Sequence, residues 1–115
     1  MAAKRDISVA KKMLKEDDDR AFSIAYNAML QSARAMMFFD GYTTIGENHH
    51  KATVDYADVK LGAKLSEKIE LFDRMRRKRH SAVYDKAGAV SHFEAKHAVQ
   101  NAEDFLQKVL QKLKF

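Results

Sequence analysis

The chain has 115 residues, with 21 Lys or Arg against 16 Asp or Glu, a formal net charge of +5 at pH 7 and a sequence pI near 9.5. It contains no cysteine, no proline and only four glycines, which excludes a disulfide framework and a thiolate nucleophile and speaks against the turn-rich grammar of a β protein. The expectation is one all-α domain over residues 1–115, long enough to bury a core without staples.

The mild basic excess attracts polyanions at low salt, but is by itself a weak argument for RNA or DNA. The opening "MAAKRDISVAKKMLKEDDD" carries charges every few residues and no apolar signal core, and no stretch approaches 18 uncharged apolar residues. A cytoplasmic protein is the default expectation.

A first, peripheral amphipathic segment is expected from about Asp6 to Glu16, with Ile7, Ala10, Met13 and Leu14 on one stripe. Asp17 to Asp19 then supply a cap and first-turn acids for a long helix that ends near Asp40, with Gly41 as its left-handed terminator. That helix has two apolar stripes. One is Ala21, Ala25, Ala28, Ser32, Ala35 and Phe39, and the other is Phe22, Tyr26, Met29, Ala33 and Met37. Such a helix is buried on two sides, either at the centre of its own bundle or between the bundle and a partner. Met36, Met37, Phe38 and Phe39 read as core and dimer contact.

After the loop "DGYTTIGENHHK", Asn48 to Lys60 reads as a modest third helix, and Gly62 interrupts before a fourth from about Ser66 to Ala82. Ser91 and Glu94 form an S-x-x-E capping box that opens a last helix bearing Ala98, Ala102, Phe105, Val109 and Leu113. The fold expected is an up-and-down bundle of four or five helices.

The stretch "FDRMRRKRHSAVYD", Phe72 to Asp85, is the chemically informative one. Extending the stripe of Leu65, Ile69 and Phe72 by helical turns brings Arg76, Arg79 and Val83 onto the core-facing seam, with His80 beside it. A guanidinium is costly to bury alone, so Arg76 and Arg79 need an acid such as Asp73 or Asp85, a wet cleft or an anionic ligand. Arg74, Arg77 and Lys78 read as a solvated face. Tyr84, one turn beyond His80, is expected to offer its hydroxyl to the same cleft.

The order and spacing of "AYNAMLQSARAMMFFDGY", "NHHK", the basic helix ending "RHSAVYD" and "AEDFL" resemble small prokaryotic HEPN-domain proteins from about Val9 to Leu113. The resemblance implies a helical bundle that pairs as a homodimer through its long helices. Many members act with a partner nucleotidyltransferase in toxin and antitoxin pairs, and many are metal-independent ribonucleases. The ribonuclease members carry an Rx4H motif; here Arg79 and His80 match its first two positions, and Tyr84 stands at the catalytic histidine. Tyrosine, with an ordinary pKa near 10, is a poor acid or base at neutral pH. Pairing Arg74 with His80 instead separates them by about 120° around the helix, whereas Arg76 and His80 share a face.

Other chemistries find less support. His49 and His50 are adjacent, and His92 and His97 are five apart, so neither pair clamps a metal on one helix face. No phosphate-binding glycine loop occurs, and no cofactor is expected. Two readings follow. The first is a homodimeric HEPN-like interaction module whose cleft of Arg76, Arg79, His80 and Tyr84 holds a nucleotide, RNA or a partner nucleotidyltransferase. The second is a ribonuclease in which Arg79 stabilises phosphate charge and His80 or Tyr84 takes a modified acid or base role.

Overall fold

A computed structural model describes residues 2–39, 41, 52–57, 66–80 and 90–113 of the chain, and these are helical apart from short turns. The helices are α1 (Ala2–Met13), α2 (Asp18–Phe39), α3 (52–57), α4 (Ser66–His80) and α5 (His92–Leu113). Local chemistry sets both ends of α2 and the start of α5. The Asp17 carboxylate accepts the Arg20 backbone N–H at 3.1 Å, capping α2, and Asp18 and Asp19 place negative charge in its first turn. Gly41 adopts φ 85°, and its N–H donates to the Phe38 carbonyl at 3.0 Å, closing the end of α2 in a conformation glycine adopts without strain. At α5 the Ser91 hydroxyl accepts the Glu94 N–H at 3.0 Å while the Glu94 carboxylate accepts the Ser91 N–H at 3.2 Å. The capping box is therefore formed in both directions.

The first helix begins earlier than the Asp6 expected from the sequence, and it is not peripheral. Ala3, Ile7 and Ala10 are buried in the main core, and α1 packs against both α2 and α5. Lys11 of α1 also pairs with Glu103 of α5.

The apolar stripes of α2 are covered by the chain's own helices. Ala21, Ala25, Ala28 and Ser32 on one side, and Phe22, Tyr26, Met29, Ala33 and Met37 on the other, are all buried. Over these positions α2 is central in the bundle, whereas Ala35 of the first stripe is half-buried. Ser32 sits in the alanine stripe because its hydroxyl donates to the Ala28 carbonyl at 2.7 Å. Only at the C-terminal end does the apolar surface emerge: Phe38 is 79% and Phe39 62% exposed, whereas Met36 and Met37 are core.

Phe72 fixes α4 to this framework. Its ring lies 5.6 Å from Tyr26 of α2 and 5.6 Å from Phe105 of α5, both tilted, and all three side chains are fully buried. Tilted aromatic contacts add to the area term and prefer a defined geometry.

Because Ala28 is wholly enclosed, Ala28→Glu should place an unpaired carboxylate among close-packed helices and destabilise the fold by more than about 3 kcal/mol. Thermal denaturation checks this: a markedly lowered melting temperature is expected, and an unchanged one would show that the stripe is not enclosed.

Candidate anion-binding site

Helical geometry divides α4 into three sectors. Phe72 and Met75 are 0% and 1% exposed and form the anchored side. The next residue after Met75, Arg76, lies at the margin with 27% of its side chain exposed, so the buried position one turn beyond Phe72 belongs to methionine and not to arginine.

On one flank, Asp73 holds two cations. Arg76 Nε donates to Asp73 Oδ1 at 3.1 Å, and Arg77 Nη1 pairs with Asp73 Oδ2 at 3.3 Å. The carboxylate that the half-buried Arg76 requires is thus supplied one turn back on its own helix. These i,i+3 and i,i+4 pairs are partly solvated, each worth only a few tenths of a kcal/mol.

The other flank faces α5. Arg74, Lys78 and Leu71 of α4, with Met75, border a groove of about 350 Å³ whose remaining walls are Phe22 of α2 and Glu94, His97 and Ala98 of α5. Its floor is apolar and its rim charged. Lys78 Nζ lies 3.7 Å from Glu94 Oε2, whereas Arg74 is exposed and makes no ion pair among the described residues. Beside the rim, the Phe93 ring stacks on His97 with centroids 6.3 Å apart and planes 21° from parallel, and Phe93 is 78% exposed.

The Glu94 carboxyl is held below its ordinary value of 4.5 chiefly by the Ser91 backbone N–H it accepts; burial opposes this, and the nearby Lys78 charge lowers it further. The wall that carries Glu94 is itself anchored. Asp18 of α2 meets the His92 ring Nδ1 at 2.8 Å, and Asp19 accepts the Val90 N–H at 3.2 Å. The acidic run at 17–19 is therefore a helix cap together with a tie to α5. Among the described residues, no group of three His, Asp or Glu side chains is arranged to hold a metal ion.

Arg79 and His80 lie in the last turn of α4; their side chains, and the whole of Tyr84, His49 and His50, are outside the described residues. Sequence reasoning set Arg74 and Lys78 aside as a solvated face. Their spacing of four residues, matched by Phe93 and His97 at the same spacing, was the available signal that each pair presents one helix face.

The whole arrangement, from the start of α1 to the end of α5, falls within a match to the HEPN domain family over residues 1–113. The chain belongs to the HEPN family. HEPN domains have nucleotide- and RNA-related roles, in keeping with a bundle whose basic helix borders an open groove. No match was found among curated proteins. No helix among the described residues is long and apolar enough to cross a membrane.

Two outcomes follow from the capping box. Ser91→Ala should cost about 1 kcal/mol of stability, measured by urea denaturation. Glu94 has a depressed folded-state pKa, so its contribution is present above about pH 4.5 and is lost as pH falls through the lower folded value. Glu94→Gln should accordingly lower the urea midpoint at neutral pH and match the wild type in acid, where both side chains are neutral. A constant difference across that range would contradict the assignment.

Proposed function

We propose that this HEPN-domain chain is a non-catalytic binding module for nucleotides or RNA, with the C-terminal half of α4 as the phosphate-contacting element. The observation that supports it best is the charge of that segment. From Arg74 to Arg79 the helix carries five cations; Asp73 is already committed to Arg76 and Arg77, and Glu94 lies beside Lys78. The helix dipole accounts for cations in the last turn only, and Arg74 lies outside it. The cleft of Arg76, Arg79, His80 and Tyr84 belongs to this reading as its anion-holding part. Tyr84 serves there as a hydrogen-bond donor. The chain acts as a homodimer in this reading, with the exposed Phe38 and Phe39 as the apolar surface to be covered.

The test is titration of a short single-stranded RNA and a mononucleotide by fluorescence anisotropy or calorimetry, with the RNA recovered after incubation in EDTA. Salt-sensitive binding with intact RNA is expected, and Arg79→Ala should weaken it by roughly 1 to 3 kcal/mol, while Arg77→Ala has a smaller effect. RNA cleavage that disappears in Arg79→Ala would replace the binding reading with the ribonuclease one. Light scattering should give twice the 13.2 kDa chain mass; a 13.2 kDa species alone would remove the dimer.

A further inference from the structure

The groove between α4 and α5 combines three features that a nucleotide needs in one place. Cations stand on one wall, in Arg74 and Lys78; the His97 ring stands on the other, with Phe93 stacked on it beside the rim; and the floor of Phe22, Leu71, Met75 and Ala98 is largely apolar. The volume of about 350 Å³ lies within the roughly 300–1,000 Å³ of small-molecule sites. Exposed aromatic rings gain by stacking on a nucleobase because every base offers a π face, and an adjacent guanidinium or ammonium meets the phosphate. Phe93 stacks on His97 among the described residues and is 78% exposed, so a base at the rim can extend the stack.

We propose that this groove binds one nucleoside phosphate unit, with the base stacked against Phe93 and His97 and the phosphate between Arg74 and Lys78. The inference rests on the nucleotide- or RNA-binding reading and adds to it a site away from the Arg79 end of α4. Glu94 makes the site regulated by competition. Its carboxylate sits 3.7 Å from Lys78, so it screens the ammonium before the ligand arrives. When Lys78 turns to a phosphate, Glu94 keeps the Ser91 N–H that it already accepts and is not left unpaired. Asp18 and Asp19 do not compete in this way, because they engage His92 and the Val90 N–H at the start of α5.

This competition separates a binding role from a structural one, since removing the acid should strengthen the ligand while slightly weakening the fold. Glutamine retains the capping-box pattern without the charge. The experiment titrates the full chain and its variants with AMP, a short single-stranded RNA and inorganic phosphate, each variant first checked by circular dichroism. Glu94→Gln should bind AMP or the RNA several-fold tighter, and Arg74→Ala about tenfold weaker. Phe93→Ala should lose about tenfold for the nucleotide and the RNA but little for phosphate, as expected when stacking is removed. Tight AMP binding identifies a free nucleotide as the source of the unit, and binding of the RNA alone identifies a strand. If the wild type binds and Arg74→Ala, Phe93→Ala and Glu94→Gln all bind equally well, the groove is overturned and the broader reading survives at the Arg79 end. If the wild type binds neither AMP nor the RNA, both readings fall together.

Discussion

Everything in this fold depends on α2 being apolar on two sides. A helix of 22 residues with buried stripes of small and large side chains cannot lie at a surface, so the other elements must wrap it. The alanine and serine positions allow close helix approach, and Tyr26 and Met29 supply the larger contacts toward α4 and α5, the latter through the Asn101 amide 3.6 Å from the Met29 sulfur. Once Phe72 is seated between Tyr26 and Phe105, the rotation of α4 is set. The positions of its cations follow without further choice: Arg76 and Arg77 fall on the side of Asp73, and Arg74 and Lys78 on the side of α5.

The ends of the groove show how stability and ligand chemistry share residues. Glu94 is at once the acid of a capping box and the counter-charge of Lys78, and the order of its interactions matters. The Ser91 N–H lies 3.2 Å from one carboxylate oxygen and the Lys78 ammonium 3.7 Å from the other, so the lysine is the more loosely held partner. An anion can therefore displace the weaker partner while the helix start remains capped. The ties from Asp18 and Asp19 to the beginning of α5 keep this wall at a fixed distance from α2.

Much of the architecture was legible in the sequence because its signals are local. The Asp17 cap, the Gly41 terminator and the Ser91 and Glu94 box each lie within a few residues of the boundary they set, and the stripes of α2 and α5 run for many turns. The start of α1 was not legible, since "MAAKR" holds no capping residue and Ala3 is too small to stand out in an apolar pattern. On α4 the core stripe was extended from Phe72 by four residues to Arg76, whereas the helix buries the position three residues on, Met75. With 3.6 residues per turn both steps are nearly equivalent, and the apolar residue takes the dry one. The groove escaped because its walls are about twenty residues apart in sequence and neither is unusual alone. Arg74 and Lys78 resemble any solvated face until α5 brings Glu94 and His97 opposite them, with Phe93 stacked beside the rim.

The account's central claim is that ligand phosphate is met on the basic helix α4, at its Arg79 end and on its α5 side. Amide chemical-shift mapping of the isotope-labelled chain during titration with AMP and then with a short single-stranded RNA tests this most directly. The account predicts that the largest changes cluster along α4 from Arg74 to Arg79 and from Phe93 to Ala98 on α5. Small shifts spread over the lysines of α1 and α5, with none concentrated at the groove, would mean that only diffuse surface charge attracts the ligand, and would contradict it.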